Sequence, residues 1–102
     1  MKSLSTRQPA KNTCPIQKLT EIISDAWTIL IIRDLLSAPK RFCQLESSLS
    51  GISTRTLTLK LTKLVDERMV ENIDHYYTLT DKGNHLKPII SAMEKVGGSM
   101  WK

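Results

Sequence analysis

In its 102 residues this chain has no glycine-rich phosphate loop, no carboxylate pair in evident apposition and no plausible nucleophile–base set. No common catalytic constellation is spelled out, and the chain reads as something other than an enzyme. Its two cysteines, Cys14 and Cys43, form neither a CxxC pair nor a disulfide framework. With His75 and His85 they give no metal-ligand spacing, so no metal and no cofactor is expected. No apolar stretch follows the polar first residues as a secretory signal would require. The apolar run Ile29-Leu30-Ile31-Ile32 stops at Arg33-Asp34, too short to span a bilayer. A cytoplasmic protein with reduced thiols and no membrane association follows as the expectation. Aromatic residues make up only 5% of the chain, so its core must rest on leucine and isoleucine. There is no internal repeat and no low-complexity segment, and the length suits one domain.

What is present is an excess of positive charge, formally +5, which suits an anionic partner without proving one. Its distribution says more. Lys2, Arg7 and Lys11 lie in a polar stretch, residues 1–13, that has no acidic residue and reads as a flexible arm. Lys40-Arg41 stands just before a candidate helix-turn-helix.

Pro15 is placed to open a helix running to about Ser24, with Cys14 at its N-cap and Ile16, Leu19, Ile22 and Ile23 facing inward. Asp25 can cap a second helix from Ala26 to about Ser37, ended by Pro39. That helix is apolar over much of its circumference and should be the most buried. A third starts near Cys43 and packs Leu45 and Leu49, and Gly51 turns the chain into a fourth.

The fourth helix is the clearest segment. Leu57, Leu61, Leu64 and Val65 recur at i, i+4, i+7 and i+8 as one apolar stripe. Ser53 is a good N-cap, and Ile52 with Leu57 occupies the two positions of a hydrophobic staple. The opposite face carries Arg55, Thr58, Thr62 and Lys63, all hydrogen-bond donors, with Leu59 among them. Beyond Met69 the pattern becomes Val70 to Ile73, then Asp74-His75, then Tyr76 to Leu79, a hairpin with a very short tip. Thr80-Asp81 opens a last helix with a Leu86, Ile89, Ile90 and Met93 stripe, a break near Lys87 ahead of Pro88, and an end at Gly97-Gly98. Residues 99–102 should fray. The fold class is mainly α with a small β-hairpin, a winged helix-turn-helix spanning residues 14–98.

Several ordered segments resemble the HxlR-type family of bacterial and archaeal transcription regulators, themselves related to the MarR regulators. They are Cys14-Pro15, Trp27 through Leu36, Lys40-Arg41-Phe42, Gly51-Ile52-Ser53, Leu57-Thr58, Leu61, Leu64, Tyr77 through Thr80, Lys82-Gly83, Leu86 and Pro88. The similarity covers roughly Cys14 to Val96. It implies a homodimeric binder of double-stranded DNA whose first and last helices form the dimer interface. The wing is shorter than is usual in that family, with no Lys or Arg between Glu71 and Asp81. Leu59 stands where the family often has a polar residue. Cys43 replaces the usual Ser at the start of the third helix, with Glu46 in the capping-box position.

Together these features make the fourth helix a candidate recognition helix. Arg55 is the candidate base reader, because a guanidinium can donate twice to guanine O6 and N7. Leu59 can pack on a thymine methyl, and Thr58 and Thr62 offer hydroxyls to the same groove. Ser53 and Thr54 sit at a helix N-terminus that favours phosphate, while Lys40, Arg41 and Lys63 are candidate phosphate neutralisers. Cys14 carries two readings. One is a small buried apolar residue. The other is a redox sensor, since the helix dipole favours the reactive thiolate and the resemblance implies that several members sense electrophiles or oxidants at the matching cysteine. Cys43, beside Phe42, reads as structural. A competing function is a winged-helix module for protein–protein contact, for which the acid-tipped wing and Leu59 speak.

Overall fold

The computed structural model describes residues 14–101. Pro15 opens α1 (Pro15–Thr20) with Cys14 as N-cap, but the helix stops short of the predicted Ser24. Its end is a tight turn in which the amides of Ile22 and Ile23 both donate to the Leu19 carbonyl. The two β-branched residues are poor helix formers, and they fold down onto the core instead. Ile16, predicted to face inward, is 74% exposed because no described residue covers the first turn of so short a helix.

Asp25 caps α2 (Ala26–Ser37) by accepting a hydrogen bond from the Thr28 amide at 2.9 Å. As expected this helix is central, with Thr28, Ile31, Ile32 and Leu35 buried. After Pro39 the chain stays extended and forms β1 (Lys40–Arg41), a strand that the sequence pattern did not signal. Its pairing holds Arg41 extended, so α3 (Phe42–Ser48) begins at Phe42 with Arg41 as N-cap. The capping role predicted for Cys43 and Glu46 therefore falls elsewhere, and the Gln44 side chain accepts from the Arg41 amide at 2.8 Å.

Gly51, at φ +93°, makes the left-handed turn between α3 and α4 (Thr54–Asp66). The end of α4 is closed by two hydrogen bonds, from the Arg68 amide to the Val65 carbonyl and from the Met69 amide to the Leu64 carbonyl. That is a Schellman motif with Arg68 in the left-handed conformation, φ 63°. The chain then enters β2 (Val70–Ile73), turns at Asp74-His75 and returns as β3 (Tyr76–Leu79). Both tip residues have positive φ, 54° and 70°, as a type I′ turn requires. The sheet order is β1-β3-β2, all antiparallel, so β1 joins the predicted hairpin as a third strand.

Thr80 caps α5 (Asp81–Asn84), and the predicted break falls at His85-Leu86, ahead of α6 (Lys87–Met100). Gly83 is required where α5 lies against the wing base: a Cβ there would collide with the Met69 carbonyl and the Leu79 side chain. Gly97 and Gly98 do not end the last helix, which continues through both to Met100, so residues 99 and 100 are helical rather than frayed.

The core is aliphatic. Ile31, Ile32 and Leu35 meet Leu45, Leu49, Leu57, Leu61 and Leu64, and Met69, Val70, Leu86 and Ile90 close the far side. Phe42, Tyr77 and Trp27 pack at its margin. No described helix is long and apolar enough to cross a membrane.

Candidate nucleic-acid interface

The core fixes the orientation of α4. Leu57, Leu61 and Leu64 are buried, and Ile52 packs in with Leu57 as the staple predicts. Val65, placed in that stripe by its spacing, is 38% exposed, since the three leucines alone cover the contact. The outward face is then Arg55, Thr58, Leu59 and Thr62, with Asp66 continuing the same row toward the C-terminus. Leu59 is 58% exposed on it.

The polar groups of this region divide into those already engaged and those still available. Ser53 Oγ accepts from the Thr56 amide and donates to Thr56 Oγ1, both at 3.0 Å, so its hydroxyl is spent on capping. Thr54 Oγ1 donates to the Glu46 carboxylate on α3, which ties the two helices together and sets a negative charge near the N-terminus of α4. Thr58 Oγ1 donates back to the Thr54 carbonyl at 2.8 Å. Lys63 Nζ donates to the Glu21 carbonyl at 2.8 Å and so braces the turn after α1. Arg55 and Thr62 make no side-chain hydrogen bond or ion pair among the described residues.

Lys40 and Arg41 lie away from α4 in sequence and are brought beside the wing by β1. Lys40 is half-buried, whereas Arg41 is exposed and places its guanidinium over the Tyr76 ring, 5.3 Å from the centroid.

Two further side chains take roles that the sequence pattern did not signal. Lys60 Nζ lies 2.7 Å from Asp25 Oδ2, joining α4 to the N-terminus of α2. Burial alone would raise the Asp25 carboxyl. The hydrogen bonds from Lys60 and Thr28, with the Lys60 charge, outweigh that and hold it below its ordinary value. The i+3 spacing of Asp25 to Thr28 was legible as a cap, but a lysine from a distant helix was not. Glu46 is the second such residue, its role as acceptor for Thr54 visible only once α3 and α4 are packed.

Both thiols are exposed. This removes the buried reading of Cys14, which sits at its N-cap position with no side-chain capping bond. It also corrects the structural reading of Cys43. Phe42 turns inward, and the next residue on a helix is rotated by about 100°, which carries Cys43 outward. Cys43 lines a cleft of about 410 Å³ with Arg41, Phe42, Asn72, His75 and Tyr77. No described group of histidine, cysteine and carboxylates is arranged to hold a metal ion.

A second kind of surface lies on α6. Ile89, Ala92, Met93, Val96, Gly97, Met100 and Trp101 line an apolar groove of about 570 Å³. Most of its large side chains are exposed, Trp101 by 78%, and nothing stands within 4 Å of a Cβ at Gly97 or Gly98.

A helix-turn-helix with its second helix presented outward, flanked by a three-stranded wing, defines a winged helix-turn-helix protein of the DNA-binding class. Residues 22–102 match the HxlR-like helix-turn-helix family, and the chain belongs to it. An uncharacterised HTH-type transcriptional regulator of Synechocystis, sll1512, is 37% identical over 92 residues, which cover 82% of this chain and 67% of that protein. Among solved structures, the quinone-bound form of YodB from Bacillus subtilis superposes with a TM-score of 0.77 at 30% identity, covering 84% of this chain and 99% of that one. PA1607, a candidate transcription factor, gives a TM-score of 0.79 at 31% identity over 88% of this chain and 67% of its own. The chain is thus a member of a family of transcription regulators, with the MarR-like fold that its sequence resembles.

Proposed function

We propose that this protein is a homodimeric transcription regulator that reads a specific sequence in double-stranded DNA, with Cys14 as its point of response to oxidants or electrophiles. The observation that carries the reading is the outward row on α4. Arg55, free of partners among the described residues, leads a stripe whose other members can face base edges. In this reading Arg55 donates to guanine and Leu59 packs on a thymine methyl. Thr62 contributes a hydroxyl, whereas Thr54 and Thr58 reach DNA only by giving up their present acceptors. Lys63 contributes charge at the edge of the interface while bracing the chain at Glu21.

Dimerisation would run through α1 and α6. The groove on α6 and the exposed Ile16 on α1 are apolar surface that a second copy would cover. Gly97 leaves room for a partner helix to approach closely. Two recognition helices would then meet successive major grooves, with half-site centres about 34 Å apart. Cys14 occupies the N-cap position of the helix at that interface and is open to solvent, so an adduct there would shift the spacing of the two readers. The likeness to YodB in a quinone-bound form supports this chemistry.

The test is fluorescence anisotropy with DNA from upstream of the protein's own gene and with a scrambled duplex, across a salt series, with and without diamide. The expected result is selective binding that diamide weakens in the native protein and leaves unchanged in Cys14→Ser. Equal binding to both duplexes would remove base readout, and binding to neither at low salt would favour a protein-contact module.

A further inference from the structure

The wing hairpin has no lysine or arginine between Glu71 and Asp81, and its tip carries the Asp74 carboxylate. A tip of that kind is repelled by phosphate. The structure nevertheless brings a cation to the wing from outside the hairpin. β1 pairs with β3 so that Arg41 faces Tyr76, and Tyr76 in turn faces Ile73 across to β2. The three side chains form one cross-strand row on a single face of the sheet. The Arg41 guanidinium lies 5.3 Å from the centroid of the Tyr76 ring. Arg41, Tyr76 and Ile73 are all exposed.

We propose that Arg41 is the DNA-phosphate contact of the wing and that Tyr76 is the residue that positions it. This deepens the DNA-binding reading above and rests on it. A cation–π contact draws on the charge of the guanidinium and takes up none of its N–H donors as hydrogen bonds. A ring beneath it therefore fixes the side chain without using the donors that grip a phosphate. Arginine otherwise loses considerable rotamer freedom on binding, and the Tyr76 platform restricts that freedom beforehand. Arg41 has no ion-pair partner among the described residues, so its charge is available. The wing then meets the DNA backbone through its β1 edge, and the acidic tip points away from the phosphates.

The experiment is anisotropy with the upstream duplex over a salt series, using Arg41→Ala, Tyr76→Leu, Tyr76→Phe and the Arg41→Ala/Tyr76→Leu double variant, with thermal melting as a check on folding. Arg41→Ala should weaken binding about five- to tenfold and lower the salt slope by about 0.9 per subunit, the loss of one phosphate contact. Tyr76→Leu should weaken binding about two- to fivefold, the scale of an exposed cation–π contact. It should cost nothing more when Arg41 is already alanine, and Tyr76→Phe should behave as the native protein. A Tyr76→Leu effect of equal size in both backgrounds would overturn the positioning role. An unchanged slope in Arg41→Ala would overturn the phosphate contact, and that variant decides even where Tyr76→Leu is unstable. Native protein that binds no duplex at low salt removes the DNA-binding reading itself, whereas native binding with an unaltered Arg41→Ala slope removes this proposal alone.

Discussion

Helices α4 and α6 are nearly equal in length, 13 and 14 residues, yet they finish in opposite conditions. On α4 the apolar residues Leu57, Leu61 and Leu64 are all consumed by the core, and the outward face is dominated by polar groups. On α6 only Ile90 is buried, while Met93, Val96 and Met100 recur on one exposed stripe that ends beside Trp101. The first helix is complete within one copy and offers what a polar, charged partner needs. The second leaves apolar surface unburied, which the proposed second copy would cover. The two faces therefore call for two different partners, and each can be damaged without the other.

The largest effect should come from the incomplete helix. Val96→Asp places a charge in the centre of the apolar groove, and the expected outcome is a monomer by light scattering with an unchanged circular-dichroism spectrum. If two recognition helices act together, losing one half-site should weaken DNA binding by about 10²–10⁴-fold. A dimer that persists in Val96→Asp would move the interface away from α6. Next comes the complete helix. Leu61→Ala empties a fully packed site between α4 and the rest of the core and should cost about 2–5 kcal/mol in urea denaturation. That loss should not depend on protein concentration, whereas damage at Val96 should, and this contrast separates core from interface.

Arg55→Ala tests the polar face while leaving both packing surfaces alone. It should weaken specific binding by about 1–3 kcal/mol and relax the preference at one base pair in each half-site. Stability should not change, because the Arg55 side chain makes no hydrogen bond or ion pair with a described residue. A uniform loss on every sequence would mean that Arg55 meets phosphate instead of a base.

Much of this division was legible in the sequence. The leucine spacing of α4, its Ser53 cap, the Asp25 cap and the two-residue hairpin tip are local patterns, set by residues within one or two turns of each other. The misses share a physical cause. β1 is two residues long and exists only because β3 supplies its hydrogen bonds, so no periodicity could signal it. The continuation of α6 past Gly97 and Gly98 overrides a propensity penalty of about 1 kcal/mol per glycine, which no local pattern reports. Burial of Phe42 does not extend to Cys43, because adjacent helical residues point in different directions. For the candidate site, the outward position of Arg55, Leu59 and Thr62 followed from the stripe they oppose. That Thr54 and Lys63 are engaged by Glu46 and the Glu21 carbonyl depended on contacts between distant segments.

The smallest effect concerns how α4 is anchored. The Asp25–Lys60 pair joins it to α2, and both side chains are about one-third exposed, so solvent screens them. The carboxyl is held below its ordinary value of 3.8 despite partial burial, because Lys60 and Thr28 stabilise the charged form. A carboxyl whose value is lower folded than unfolded adds stability above the unfolded value, and that contribution disappears as pH falls through the folded one. Asp25→Asn keeps a competent cap but removes the charge, so it should cost about 0.2–1 kcal/mol at pH 7. The difference between native and Asp25→Asn urea midpoints should shrink toward zero as the pH drops below about 3.8. A difference that stays constant between pH 7 and pH 3 would mean the side chain acts only through its shape as a cap. In that case α4 would be held by Leu57, Leu61 and Leu64 together with the Thr54–Glu46 and Lys63–Glu21 contacts, and the polar tie to α2 would set orientation without adding to stability.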